Sequence, residues 1–351
     1  MKEKVILGMS GGVDSSVSAY LLQKDYDVLG VHMTMCNDDP EKEAIAVKDG
    51  AAVAEQLGVP YETIDVQKDF HKNVIDYFIS EYKAGRTPNP CVECNRSMKW
   101  KKLFRYADEK GAKYVATGHY GNVLNLPNGR LTIECADHPE KDQSYVLYQL
   151  EQDEIERIVL PLGAYEKPRI REIAEEIGLS VSNKPESQDI CFIPDGDYGA
   201  FIKERTDIPP KGNFVDTKGN ILGEHKGIIH YTIGQRKGLG LALGYPAYVL
   251  EIRPQTNEVV IGKDEEGLHN GILVKDLNFL AIEDLTEEMR VLVRIRYNHK
   301  GTYGTIKKTG TDEVTVLLEE PLRGITPGQS AVFYVDNYLL GGGTIVSSKD
   351  F

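Results

Sequence analysis

Cysteine is scarce in this sequence: five residues in 351, at Cys36, Cys91, Cys94, Cys135 and Cys191. An odd and sparse set excludes a disulfide scaffold and reads as catalytic or metal-binding. Basic charge is also short, with 41 Lys and Arg against 54 Asp and Glu and a formal net charge of −13. That balance argues against indiscriminate binding of nucleic acid, though not against a local basic face. No apolar run reaches transmembrane length, and nothing near the N-terminus reads as a secretory signal. A soluble, cytoplasmic protein without a membrane partner is therefore expected. Repeats and low-complexity tracts are lacking too. The length suits two or three domains with a sizeable core.

What is present begins at the N-terminus. The apolar run Val5-Ile6-Leu7 predicts a buried parallel strand. Gly8-Met9-Ser10-Gly11-Gly12 follows, then Val13-Asp14-Ser15-Ser16, with Val17, Tyr20 and Leu21 continuing at helical spacing. Glycines let the backbone turn tightly and bring its amides close to a ligand. Strand, glycine loop and helix N-terminus together form a cradle for an anion, phosphate above all. A Walker-type loop needs Lys where Asp14 stands, and the dinucleotide fingerprint Gly-x-Gly-x-x-Gly is absent.

Further along, strands are predicted near 28–33, 61–66 and 114–116, alternating with helices over 41–57, 69–83 and 95–110. This alternation predicts an α/β fold with a doubly wound parallel sheet and ligands at the carboxyl ends of its strands. Asn128-Gly129 predicts a hairpin, and Pro168 to Gly178 a helix. Near residue 200 helical periodicity fades. Short β-branched runs, including 290–297, 304–308, 314–318 and 331–335, imply two small β-rich domains, the last a β-barrel. The expected division is 1–198, 199–268 and 269–351.

The second decisive stretch is Gly85-Arg86-Thr87-Pro88-Asn89-Pro90-Cys91-Val92-Glu93-Cys94-Asn95. Two prolines stiffen it. Cys94 at the boundary of the predicted helix has the dipole, Arg96 and Lys99 to stabilise a thiolate. Half a zinc site is the alternative reading of Cys91 and Cys94, but no second Cys-x-x-Cys completes four ligands. Cys191 lies between Ile190 and Phe192, where a core position competes with a functional one; nearby Lys184, Ser187, Gln188 and Asp189 favour an exposed loop. Two acid-free basic runs, 94–107 and 290–308, the latter with Tyr297 and Tyr303 interleaved, read as RNA-facing or as solvated faces.

Ser10–Ser15 resembles the loop of the PP-loop ATP pyrophosphatases, which adenylate a substrate oxygen. Then come Thr87-Pro88-Asn89-Pro90 with Cys94-Asn95, Ala116-Thr117-Gly118-His119-Tyr120 and Lys141-Asp142-Gln143-Ser144-Tyr145. Gln188-Asp189-Ile190-Cys191-Phe192, Tyr231-Thr232-Ile233-Gly234-Gln235-Arg236 and Thr326-Pro327-Gly328-Gln329 complete the order. The whole chain resembles the bacterial tRNA-specific 2-thiouridylases.

That resemblance implies an adenine-nucleotide α-hydrolase-like first domain and a tRNA sulfurtransferase. ATP adenylates O2 of the wobble uridine, U34, of the Lys, Glu and Gln tRNAs. Sulfur then reaches C2 from a persulfide. By motif position, Cys191 is implied as persulfide carrier and Cys94 as the attacking thiol, with a transient disulfide between them. ATP contacts are implied at Gly8, Met9, Ser10, Gly11, Gly12, Val13, Asp14 and Ser15, at Met33 and at Gly118. Target-base contacts fall on Asn89, Pro90 and Cys91; tRNA contacts fall on Lys141, Asp142, Gln143, Arg296 and Tyr297. His119 and Gln329 support the site, and Mg2+ bridges the phosphates. A sulfur donor, either a cysteine desulfurase or a relay protein, is an implied partner. Cys91 stands where many members carry Asp. The three thiols Cys91, Cys94 and Cys191 therefore leave open a [4Fe–4S] cluster in place of the persulfide. Two rivals remain: a PP-loop amidase or ligase, and an ATP-sensing module that is not an enzyme.

Overall fold

The structure is a computed structural model that describes residues 2–36, 39–182, 184 and 190–350. Two units follow from its internal contacts. One holds residues up to 75, 91–192 and 337–340; the other holds 76–90, 193–336 and 341 onward.

The first unit is built on β1 (Glu3–Gly8), β2 (Tyr26–Thr34), β3 (Tyr61–Asp65) and β4 (Tyr114–Ala116). A hairpin of β5 (Asn122–Asn125) and β6 (Leu131–Glu134) follows, then β7 (Ile158–Val159). The sheet order is β3-β2-β1-β4-β7, and its pairs are parallel. Val5, Ile6 and Leu7 of the central β1 are fully buried, as a continuous apolar run between two helical layers requires. Helices Val13–Leu22, Pro40–Leu57 and Lys167–Glu176 pack Val17, Val53, Ala54, Ile170 and Ile173 into this core. Gly58 ends the second of them in the left-handed region, as expected for a C-cap.

Two predicted helices differ from expectation. The one over 69–83 is broken by a π-helical turn, His71–Ile75. The one over 95–110 begins earlier, at Pro90, and carries a π-helical turn, Asn95–Lys99, before Trp100–Glu109. Proline at a first helical position needs no amide partner, so Pro90 opens the helix that was expected to start after it. Asn73 of one π turn meets Met98 of the other, Nδ2 to Sδ 3.6 Å.

In the second unit, β8 (Gly212–Val215), β9 (Ile221–His225), β10 (Tyr248–Arg253) and β11 (Glu258–Gly262) form a sheet in the order β10-β11-β8-β9. Phe214, Tyr231, Val249, Val259 and Ile261 fill its core. The strands β12 (His269–Phe279), β13 (Met289–Arg294), β14 (Thr302–Gly310), β15 (Glu313–Leu322), β16 (Ser330–Val335) and β17 (Tyr338–Lys349) come next. They run in the order β12-β15-β14-β13-β16-β17, and pairing of β12 with residues 341–349 of β17 closes a six-stranded barrel. Val291, Val293, Ile306, Val314, Val316 and Phe333 line the interior at alternate positions. The strand predicted over 290–297 stops at Arg294, which puts Arg296 and Tyr297 in the bend after β13. Among the described residues no helix is long and apolar enough to cross a membrane.

Candidate active site

The glycine loop lies at the carboxyl end of β1. Met9 is buried, and its amide donates to Val31 O at 2.8 Å, which fixes the loop to β2. Gly11 has φ +71, and a Cβ there would stand 2.5 Å from Ala46 O, so only glycine suits the turn. Gly12 caps the helix that starts at Val13 and offers no side chain to its first amides. Ser15 and Ser16 turn their hydroxyls back onto Gly12 O, at 3.1 and 2.8 Å. The first-turn amides are thus left facing the loop, which is the chemistry of an anion site. Gly8 lies beside Leu103, and Met33 is half-buried at the carboxyl end of β2. Gly118 packs against the start of this helix; a Cβ on it would come within 3.2 Å of Asp14 and of Ser15 N.

Asp14 is not isolated in the loop. Lys167 Nζ lies 2.6 and 2.7 Å from its two carboxylate oxygens, and Tyr120 OH donates to Oδ1 at 2.6 Å. On the other flank, Lys184 Nζ donates to Gly11 O at 3.0 Å and to Asp49 at 2.7 Å. Two ammonium groups therefore flank a loop that lacks a lysine of its own. The sequence analysis missed Lys167; proline at its neighbour Pro168 marked only a helix start.

Cys91, Cys94 and Cys191 all belong to the first unit. Cys91 and Cys191 are exposed and Cys94 is half-buried, yet their dense surroundings push all three thiols up, Cys191 to about 12. Cys191 is also raised by Cys94, Cys91 and Cys36, which adds a fourth thiol to the neighbourhood. The expected dipole-stabilised thiolate at Cys94 is thus corrected. Cys94 ends the first turn of the helix instead of opening it, and desolvation outweighs the favourable charge. Arg96 is bonded to Glu93 at 2.7 and 3.0 Å, so the cation that acts on the thiols is Lys99. The stretch 185–189 before Cys191 lies outside the described residues.

His119 is buried; its Nδ1 is 2.7 Å from Thr117 Oγ1 and its Nε2 is 3.4 Å from Lys99 Nζ. Burial, and then Lys99, hold its pKa well below the usual histidine range. Asp142 is also buried, its carboxylate accepting from Ala136 N, Ser144 N and Ser144 Oγ. Gln143 Oε1 accepts from Tyr120 N at 3.0 Å, and Lys141 is half-buried. In the second unit, Gln329 Nε2 donates to Thr87 O at 2.9 Å and to Pro88 O at 3.1 Å. Thr87 N donates to Pro327 O at 2.9 Å. The turn before β16 thereby clamps the segment leading to Asn89 and Pro90, which are half-buried and buried.

Residues 3–195 match the family described as the tRNA methyl transferase HUP domain, 199–263 the tRNA methyl transferase PRC-barrel domain, and 269–345 the aminomethyltransferase beta-barrel domain. The tRNA-specific 2-thiouridylase MnmA of Lachnoclostridium phytofermentans is 50% identical over 98% of this chain and 99% of its own length. The chain belongs to the MnmA family of tRNA-specific 2-thiouridylases. The MnmA of Clostridioides difficile is 46% identical over 99% of each chain. Among solved structures, the U34-tRNA thiolase NcsA from Methanococcus maripaludis with its [4Fe–4S] cluster is 22% identical. That likeness covers 58% of this chain and 64% of that one at a TM-score of 0.36, too weak to carry an argument.

The family's nucleotide-binding PP-loop fold accounts for the parallel sheet and the loop after β1. A cluster at Cys91, Cys94 and Cys191 does not fit this member. Among the described residues no three Cys, His, Asp or Glu side chains converge closely enough to hold a metal. Cluster ligation needs several thiolates directed at one centre, and the shared surroundings of these thiols favour protonation.

Proposed function

We propose that this chain is an ATP-dependent tRNA-uridine 2-sulfurtransferase acting on U34 of the Lys, Glu and Gln tRNAs. O2 of the uridine attacks the α-phosphorus of ATP and pyrophosphate leaves. Adenylation turns a poor leaving group at C2 into a good one. The terminal sulfur of a Cys191 persulfide attacks C2, and AMP leaves with the electron pair. Cys94 then attacks Sγ of Cys191. The S–S bond breaks, C2=S stays on the tRNA, and a Cys94–Cys191 disulfide forms, to be reduced by an external dithiol.

One observation carries the reading: the first unit combines an uncapped PP-loop with thiols close enough to raise one another. Methyl transfer, which the matched domain descriptions name, gives neither feature a task. Gly8, Met9, Ser10, Gly11, Gly12, Val13, Asp14, Ser15, Met33 and Gly118 bind ATP in this reading. Mg2+ enters with the nucleotide, and its habit of binding through one carboxylate and substrate phosphates suits a loop whose carboxylate is Asp14. Asn89, Pro90 and Cys91 meet the target base. Lys141 contacts the tRNA from a loop that Asp142 and Gln143 hold, and Arg296 and Tyr297 do so from the barrel. We read the domains as 1–198, 199–268 and 269–351, a division supported by the shift from parallel α/β to antiparallel β structure. The absence of a membrane-spanning helix among the described residues suits a cytoplasmic enzyme whose sulfur donor is a desulfurase or relay protein.

The test incubates the protein with ATP, Mg2+, a cysteine desulfurase with cysteine, and unmodified Glu tRNA, followed by nucleoside analysis. 2-Thiouridine at position 34, dependent on ATP, is expected. Pyrophosphate release without any thiolated nucleoside, under conditions that load Cys191, would overturn the proposal in favour of a ligase.

A further inference from the structure

Sulfur transfer moves negative charge from one sulfur to the next: persulfide, attacking thiolate, departing sulfur. In the resting protein burial opposes that charge at every thiol. Something must therefore stabilise anionic sulfur at three positions. Among the described residues the cation common to Cys91, Cys94 and Cys191 is Lys99, and Lys99 is itself held in place. Its backbone amide donates to the Cys94 sulfur. Its ammonium points to His119 Nε2 at 3.4 Å.

Lysine has donors only, so Nε2 of His119 must be the acceptor. The imidazole is then the Nδ1–H tautomer, donating to Thr117 Oγ1 at 2.7 Å. Trp100, the next residue after Lys99, stacks on the ring with centroids 5.9 Å apart. His119 is fixed on both sides, and its neutral form is what lets it face an ammonium. The π-helical turn Asn95–Lys99 ends at Lys99, where such a turn widens the helix and displaces the residue at its end. Acting against Lys99 are Glu93 beside Cys94 and Cys36 beside Cys191, and Arg96 is bonded to Glu93.

We propose that Lys99 is the cation of the sulfur-transfer step, held among Cys91, Cys94 and Cys191 by a neutral His119 that acts as its positioning residue. Lys99 pairs in turn with whichever sulfur bears the charge. The inference rests on the sulfurtransferase reading for its purpose, but its geometry does not.

The test uses full-length Lys99→Met and Lys99→Arg, with wild type alongside. Thermal melts check folding. Pyrophosphate release with ATP and tRNA reads adenylation, nucleoside analysis reads thiolation, and iodoacetamide labelling with peptide mapping reads the thiolates directly. Lys99→Met should label Cys94 and Cys191 about tenfold more slowly at pH 8, the effect of losing about one pKa unit of stabilisation. It should lose thiolation while releasing pyrophosphate, and Lys99→Arg should restore much of both. Unchanged labelling in a folded Lys99→Met variant would overturn the inference even if thiolation falls. Wild-type thiolation matched by Lys99→Met would overturn it too, leaving the enzyme's assignment intact. A wild type that never thiolates would count against the function alone, because the labelling arm still reads Lys99. Should Lys99→Met not fold, slower labelling in His119→Ala supports the inference and unchanged labelling overturns it.

Discussion

Lys167 and Asp14 form a two-oxygen ion pair across 153 positions of sequence, with the lysine side chain only 10% exposed. Asp14 sits in the second position of the helix that follows the glycine loop, so Lys167 sets where the loop carboxylate points. Removing one partner of a buried pair costs about 3–5 kcal/mol. Asp14 is a third exposed, so Lys167→Met should lose about 2 kcal/mol, nearer the surface-pair range. Denaturant unfolding reads that loss. Pyrophosphate release should fall by more than tenfold, with Lys167→Arg intermediate. A Lys167→Met enzyme of wild-type stability and rate would remove the pair from the mechanism.

Asp14→Ala and Ser15→Ala should abolish adenylation while tRNA binding persists, since both lie in the phosphate loop and not on a basic face. Filter binding and a pyrophosphate assay on the same preparations separate the two. Pyrophosphate at the wild-type rate from either variant would refute the loop's assignment.

Gln329 holds the backbone of Thr87 and Pro88 with two hydrogen bonds. Each such bond contributes about 1 kcal/mol. Gln329→Leu should therefore raise KM for tRNA severalfold with KM for ATP unchanged, and lower stability by about 1–2 kcal/mol. Gly328→Ala should act similarly, because Gly328 has φ +91 and its Cβ would stand 3.0 Å from Thr87 O. Equal rises in both KM values would speak against a clamp that serves the tRNA side.

Affinity for tRNA should fall steeply with salt. Arg296→Ala should weaken it and reduce the slope of log K against log salt by about one unit, the signature of a lost phosphate contact. ATP binding should not change. A slope identical to wild type would take Arg296 out of the interface.

The depressed pKa of His119 gives stability a defined pH dependence. The unfolded chain takes up a proton near pH 6.5, and the folded chain does so only at lower pH. The contribution is complete above about pH 6.5 and declines as pH falls from there toward the folded value. Urea midpoints at pH 7.5 and pH 5.5 should differ more for wild type than for His119→Asn. Equal pH sensitivity in the two proteins would mean that other groups carry it.

The strand–loop–helix after Val5, the Gly58 cap, the hairpin at Asn128-Gly129 and the run of short strands after residue 200 were legible because each rests on neighbours along the chain. Propensity, turn chemistry and apolar period act over a few residues, and so do the motifs of the PP-loop. Even so, local reasoning started the helix after Cys94 instead of at Pro90, and it assigned Arg96 to the thiols when Glu93 had taken it. The partners of the site lie far away in sequence. Lys167 reaches Asp14 over 153 positions, and Gln329 reaches Thr87 over 242. Nothing in the composition or spacing of either segment encodes those meetings. They exist because the order of strands in the sheet, and the closing of the barrel, bring particular backbone turns together. Burial follows from that assembly too. The neutral state of His119 and the raised thiols are properties of the packed interior, since desolvation acts only once the chain has folded around the group.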